Sequence, residues 1–367
     1  MHYYMPTKVY DEENAVANHP EVFQQAGSAA LLVTGAHSAA ANGSLADVTG
    51  VLSSLGIRYR VFDRVEQNPS TDTVMEAAKE GLAFGADFVV GIGGGSPMDA
   101  AKAIALMMAH PEEGADYLYE KGGDGSRLPL ILIPTTCGTG SEVTPVSVLT
   151  RKVPAVKGSI PFRIFADTAL IDGKYLAAAS DSVLRNTAVD ALGHLWESWL
   201  NADATPYSRM AAEAGLAAWR ENKGLIFRHP ADLTSKEQRR LMRASAFAGM
   251  AIAQTGTSLP HGLSYHVTVA GHIPHGKAIG YFEAGYLAQA DEKDRQHLLA
   301  AAGFASLEEW QDFYATACGG ELLPRELLLS AVDSLLASPA KLKKAPFAAD
   351  RETLLAIAFF GRTEENP

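Results

Sequence analysis

Cysteine is nearly missing from this chain: Cys137 and Cys318 are the only two in 367 residues. That excludes a disulfide framework and fits a reducing, cytoplasmic setting. No apolar run is long enough to span a bilayer, and the opening MHYYMPTKVYDEEN lacks the basic-then-apolar order of a secretory signal. Positive charge is also short. With 31 Lys and Arg against 42 Asp and Glu, the formal net charge is −11, which argues against nucleic acid or an anionic membrane as a partner. The expected partner is therefore a small molecule. Repeats and low-complexity segments are absent too, while 47% hydrophobic and 20% charged residues are ordinary for a globular protein.

A chain of this length exceeds one ordinary core, so two domains are expected. In the first half, short apolar runs alternate with amphipathic stretches. Ala29–Thr34, Arg58–Phe62, Asp87–Ile92 and Leu128–Ile133 read as strands, and Gly43–Leu55, Thr71–Phe84 and Pro97–Ala109 as helices. Such alternation implies a mostly parallel sheet covered on both faces. After about Asp172 strand-like runs stop. Ala, Leu, Glu and Arg then recur at helical spacing in Ser208–Trp219, Lys236–Ala253 and Arg325–Ala337. The expected division is an α/β domain over 1–175 and an all-helical domain over 176–367.

Two loops in the first half suit a phosphate. Gly91-Ile-Gly-Gly-Gly-Ser-Pro-Met-Asp99 follows a strand and opens a helix, with Ser96 placed as N-cap, Pro97 at the first helical position and Asp99 three residues after the cap. Consecutive glycines such as Gly94 and Gly95 let backbone approach an anion at the helix N-terminus. The alternative is a tight turn with no ligand. The run is also a poor Rossmann fingerprint, because Ser96 stands where a third glycine belongs. A second loop, Thr135-Thr-Cys-Gly-Thr-Gly-Ser-Glu-Val-Thr144, follows another buried strand and is crowded with hydroxyls. Together the two favour a nucleotide over a polar turn. At the end of the first of these strands the chain reads Val33-Thr-Gly-Ala-His-Ser38. No acid there would repel a ribose 2′-phosphate, and His37 and Ser38 can donate to one, so NADP(H) is preferred over NAD(H). The blander reading is that His37 and Ser38 cap a helix.

The second half carries a different chemistry. Asp190-Ala-Leu-Gly-His194 sets a carboxylate and an imidazole one helical turn apart on one face. Pro260-His-Gly-Leu-Ser-Tyr-His266 and Gly271-His-Ile-Pro-His-Gly276 supply four more histidines. One carboxylate with two or three imidazoles suits Fe(II) or Zn(II) and leaves room for a substrate oxygen. Any single histidine is more often a hydrogen-bonded core residue than a ligand, and spacing does not choose among His261, His266, His272 and His275.

Gly93-Gly-Gly-Ser-Pro-Met-Asp99 with Lys102, Thr135-Thr-Cys-Gly-Thr-Gly-Ser-Glu142, Asp190-Ala-Leu-Gly-His194 and Pro274-His-Gly276 resemble, in this order, the iron-containing (group III) alcohol dehydrogenases. Tyr4-Met-Pro-Thr7 and Gln254-Thr-Gly-Thr257 are most similar to the 1,3-propanediol dehydrogenase-like branch. The resemblance covers roughly residues 4 to 285. It implies a dehydroquinate synthase-like fold, with a dinucleotide-binding α/β domain, an all-helical domain and the active site in the cleft between. It implies metal ligands at Asp190, His194, His261 and His275, with His266 and His272 outside them. Cofactor contacts are implied at Gly35, Asn68, Gly95, Ser96, Asp99, Thr135, Thr136, Thr139 and Lys157, although Lys157 also reads as a solvated lysine in a basic loop. Many relatives carry a histidine where this chain has Tyr265 beside His266, so either residue is a candidate proton relay. Cys137 stands where relatives usually have alanine.

The activity implied is that of a metal-dependent alcohol dehydrogenase or aldehyde reductase for short primary alcohols, diols or their aldehydes. The metal would act as Lewis acid while hydride passes to or from the nicotinamide. Iron is expected, zinc is compatible with the same ligands, and a homodimer is implied by resemblance alone. A glycerol dehydrogenase-like enzyme and a dehydroquinate synthase share the fold; the full ligand set disfavours the first, and no Lys/Arg cluster suits the second. A nucleotide-sensing protein that lost its chemistry would be marked by missing ligands, and none is missing.

Overall fold

The computed structural model describes residues 3–151 and 156–362. They form two compact units: Tyr4–Ala179 together with Pro230–Ala246, and Ser180–His229 together with residues from Phe247 onward. Pro230–Ala246 lies past the expected boundary yet packs with the first unit. Asp11 there pairs with Arg239 at 3.2 Å and with Arg243.

The first unit is built on a six-stranded parallel sheet. Its strands are β1 (Lys8–Asp11), β2 (Ala29–Thr34), β3 (Arg58–Phe62), β4 (Phe88–Gly93), β5 (Leu130–Pro134) and β8 (Thr168–Ile171), in the order β1-β8-β5-β4-β2-β3. The central strands β2, β4 and β5 are buried at every position, as expected of parallel strands covered on both faces. Alternation splits their side chains between two cores. Leu31, Val33, Val89 and Leu132 join the core formed with the helices Thr71–Phe84 and Gly95–Ala109. Leu32, Val90, Ile131 and Ile133 join the opposite core with Val48 and Leu52 of the helix Ser44–Ser54.

The sequence runs identified β2 to β5 within two residues, but not the edge strand β1 or β8. It also did not identify the antiparallel hairpin β6 (Val148–Arg151) and β7 (Val156–Ser159). Each has only four residues, and β1 is partly exposed along its length.

The second unit is helical. Its main helices are Asp181–Leu200, Pro206–Asn222, Leu259–Ala270, His275–Gln289, Glu292–Ala302, Leu307–Cys318, Arg325–Leu336 and Arg351–Ala358, and the helix Ser235–Thr255 contributes residues to both units. Ser180 caps the first of them by accepting from the Val183 N–H. Two glycines set how closely Asp181–Leu200 meets His275–Gln289. A Cβ on Gly276 would fall 1.8 Å from the Asn186 carbonyl oxygen, and one on Gly193 would lie 2.7 Å from Glu283 Oε1. The glycines of the Asp-Ala-Leu-Gly-His and Pro-His-Gly motifs therefore act through close approach. No described helix is long and apolar enough to cross a membrane.

Candidate metal centre and nucleotide loops

Asp190 and His194 project from the middle of Asp181–Leu200, His261 from the first turn of Leu259–Ala270, and His275 opens the helix His275–Gln289. One ligand-capable atom each from Asp190, His261 and His275 converge within 4.8 Å of one another. His194 joins them: its Nε2 is 3.8 Å from Asp190 Oδ1, and its ring stacks on His261 with centroids 4.4 Å apart. Asp190 Oδ1 and His261 Nε2 lie 3.5 Å apart, both buried, and neither has a hydrogen-bond partner. Burial alone would raise the Asp190 carboxyl, but the imidazoles of His194, His275 and His261 outweigh it and hold the group below the usual carboxylate range. A buried carboxylate oxygen and a buried imidazole nitrogen, both without a hydrogen-bond partner and converging with His275, fit a divalent cation.

Behind the cluster stand residues that the sequence reading missed. His261 Nδ1 donates to Glu197 Oε1, and Glu197 Oε2 accepts from the Ser258 N–H. This fixes the ring proton on Nδ1 and turns bare Nε2 toward Asp190. Glu197 follows Asp190 and His194 at the i, i+4, i+7 spacing of one helix face, which is the signal that could have found it. Glu283, two turns beyond His275, is fully buried and meets no donor at either oxygen. Burial, then repulsion from Glu197 and Asp190, raises its carboxyl well above the usual range, so it is held neutral.

Of the two candidate relays, only Tyr265 contacts the cluster. Its ring stacks on His275 at 5.8 Å and 9° and lies 6.5 Å edge-on from His261. Among the described residues, no hydrogen bond or ring contact joins His266 to the four candidate ligands. His272 is exposed, in the left-handed region at φ 52°.

The nucleotide candidates lie at adjacent strand ends in the first unit. Thr34 of β2 pairs with Ile92 of β4, and Gly93 pairs with Pro134 of β5. Chain order reverses between β2 and β4, so Gly35 and the glycine loop flank a topological switch point, where open α/β sheets bind ligands. The helix after β4 begins at Gly95 with Gly94 as N-cap. Ser96, expected as cap, instead has its Oγ accept from the Asn68 N–H at 3.2 Å. The glycines are needed because the threonine loop lies against them: Cβ atoms on Gly94 and Gly95 would meet Thr136 Oγ1 at 3.1 Å and Thr139 Cγ2 at 2.8 Å. The Thr135 N–H donates to the Gly93 carbonyl at 2.9 Å.

Asn68, in the left-handed region at φ 59°, accepts from Lys157 Nζ at 2.6 Å, so Lys157 of β7 is gathered with Asn68 and Ser96 rather than solvated alone. Asp99 is engaged by protein: its oxygens accept from Ser141 Oγ at 2.6 Å and the Val148 N–H at 2.9 Å. Lys102, fully buried, donates to Ser141 Oγ and the Val146 carbonyl, both at 2.7 Å, and burial pushes it down to about 8. Burial pushes its neighbour Glu142 up to about 7. These groups brace the threonine loop from beneath. His37 and Ser38 are exposed, and the short helix Ser38–Ala41 has no side-chain cap. Cys137 is buried.

Two family models match the chain: iron-containing alcohol dehydrogenase over residues 6–173, and the C-terminal part of the Fe-containing alcohol dehydrogenase family over 185–304. A sulfoacetaldehyde reductase from Bilophila wadsworthia is 29% identical over 360 residues, covering 92% of each chain. An NADPH-dependent butanol dehydrogenase from Clostridium saccharobutylicum is 30% identical over 256 residues, 69% of this chain and 65% of the relative. The crystal structure of an iron-containing alcohol dehydrogenase from Thermotoga maritima superposes with a TM-score of 0.88 at 33% identity, covering 98% of both chains.

Proposed function

Since the chain belongs to the iron-containing alcohol dehydrogenase family, we propose that it interconverts short primary alcohols or diols and their aldehydes with NADP(H) as the preferred cofactor. The observation that carries this reading is the convergence of Asp190, His261 and His275 on one point, with Asp190 Oδ1 and His261 Nε2 buried and unpartnered. One carboxylate with imidazoles from His194, His261 and His275 suits Fe(II), and Zn(II) is compatible with the same set. When bound, the metal would supply Lewis acidity toward a substrate oxygen, and the nicotinamide would give or take hydride.

The residues of the chain do the rest. Glu197 keeps the His261 proton on Nδ1. Tyr265, stacked on His275, is the better-placed proton relay, since no hydrogen bond or ring contact joins His266 to the cluster among the described residues. Gly94, Gly95, Ser96, Thr135, Thr136 and Thr139 present backbone and hydroxyl donors to a pyrophosphate, with Asn68 and Lys157 beside them. Asp99 acts by holding the loop. The NADP(H) preference rests on Gly35 at the end of β2 and on exposed His37 and Ser38 next to it. A relative named for NADPH-dependent butanol oxidation supports both parts of the reading. A cytoplasmic homodimer is proposed by analogy with the family.

The test is an anaerobic assay of Fe(II)-loaded protein with butyraldehyde, following NADPH and NADH oxidation in parallel. Faster NADPH oxidation, lost on chelation and restored by metal, is expected. Preference for NADH would overturn the cofactor choice alone. Full activity in metal-free protein would overturn the metal reading.

A further inference from the structure

Lys341 stands beside the metal cluster and, among the described residues, forms no ion pair. Lys341 lies in the short helix Pro339–Leu342. Its stem runs against Gly262, next to His261: a Cβ on Gly262 would lie 3.1 Å from Lys341 Cγ. Its ammonium group donates to the Thr257 carbonyl at 3.0 Å and to Thr257 Oγ1, and it lies 5.7 Å from the centre of the Tyr265 ring. That ring is the one stacked on His275 at 5.8 Å. The ammonium is therefore no farther from the centre of the His275 ring than the sum of these two distances.

Among the described residues, no carboxylate pairs with Lys341. Lys344 and Lys277, by contrast, are neutralised by Asp203 at 2.6 Å and Glu321 at 2.7 Å. Glu197 acts on Lys341 through space but is already shared by His261 and Ser258. Burial pushes Lys341 down to about 8, which leaves it mostly charged at neutral pH. Thr257 takes two of the three ammonium donors and fixes the direction of the third.

We propose that Lys341 recognises an anionic group on the substrate, so that the preferred alcohol or aldehyde carries a carboxylate, sulfonate or phosphate a few bonds from the reacting carbon. The proposal rests on the dehydrogenase reading above and names the substrate class for the same site. A hydroxyl at that end would fill the third donor but would not neutralise the charge, which is why a charged group is favoured over a simple diol.

The test is isothermal titration of the full chain, loaded with Zn(II) and NADPH so that no hydride can pass to the cofactor, with 1-butanol, 1,4-butanediol, 4-hydroxybutanoate and 2-hydroxyethanesulfonate. The two anions are expected to bind about ten- to a hundredfold more tightly than the neutral ligands, the range of one charge-assisted hydrogen bond. K341M should erase that difference, K341E should reverse it, and K341R should keep part of it. K341R also serves if K341M fails to fold. Equal affinities in the wild type, a diol bound as tightly as the anions, or a preference that survives in K341M would overturn the proposal. Binding is read without turnover, so the two readings fail separately. Lys341-dependent anion binding with no NADPH oxidation by the matching aldehydes would retire hydride transfer and uphold the anion site. Turnover of butyraldehyde with no anion preference would do the reverse.

Discussion

Replacing Glu197 with Gln keeps the shape of the side chain and removes one of its two acceptors. In the wild type, one oxygen accepts from His261 Nδ1–H and the other from the Ser258 N–H, and all three residues are buried. The backbone N–H of Ser258 can only donate. A glutamine that turns its oxygen to Ser258 sets its NH2 against His261 Nδ1, which must then accept, so the ring proton moves to Nε2. That is the atom facing Asp190, and a protonated nitrogen cannot ligate a metal. Turned the other way, the NH2 abuts the Ser258 N–H and leaves a buried donor unsatisfied, at about 1–3 kcal/mol. Metal affinity is expected to fall about 10- to 100-fold, the usual range for losing such a partner, which is about 1.4–2.7 kcal/mol. Competition with a chromophoric chelator measures the Zn(II) affinity, and the visible absorption of the Co(II) protein reports the ligand field. An E197Q protein that binds Zn(II) within about twofold of wild type, with an unchanged Co(II) spectrum, would refute the argument.

Three further outcomes follow from the same geometry. Glu283 is held neutral by burial and by Glu197, so its folded carboxyl titrates above its unfolded one. Its contribution to stability is present below the unfolded value and is lost as pH rises toward the folded one, by at most about 1.4 kcal/mol per pH unit. E283Q cannot titrate, so denaturant unfolding of metal-free protein should show the variant gaining on wild type as pH rises above the ordinary glutamate range; a constant difference would contradict a neutral Glu283. G276A places a methyl 1.8 Å from the Asn186 carbonyl, and forcing the two helices apart should cost about 3 kcal/mol or more and weaken metal binding; a thermal midpoint within about 2 °C of wild type would show that the helices adjust freely. G35D sets a carboxylate at the end of β2, where a Cβ would meet only the Val65 carbonyl at 3.4 Å. It should raise KM for NADPH about tenfold or more relative to NADH, and an unchanged ratio would move the 2′-phosphate site elsewhere.

The strands that a reader of the sequence can find are the ones buried on both faces. Leu31 to Val33, Val89 to Ile92 and Leu130 to Ile133 must be apolar at consecutive positions, because alternate side chains enter two different cores. β1 escapes such a reading because it is a short edge strand whose Lys8 and Asp11 read as loop, and β8 because four residues carry too little pattern. The start of the helix after β4 was displaced for a different reason. Local capping rules favour Ser96, but the threonine loop presses on Gly94 and Gly95 and leaves little room for a side chain there, while Asn68 uses the Ser96 hydroxyl.

Buried charge was the hardest feature to anticipate. Glu197, Glu283, Lys102 and Lys341 each read, one at a time, as residues of a solvated helix face, which is where most such side chains lie. Their positions become informative only when a partner distant in sequence is known: His261 for Glu197, Ser141 for Lys102, Tyr265 for Lys341. Asp99 shows the converse. Its place in the glycine motif suggests contact with the cofactor, yet its carboxylate is spent on Ser141 and Val148. A motif marks where a loop must be held as readily as where a ligand is touched, and the hydrogen-bond partners of each side chain separate the two. On that criterion Asp190 Oδ1 and His261 Nε2, buried 3.5 Å apart with no hydrogen-bond partner and converging with His275, have good reason to meet a ligand.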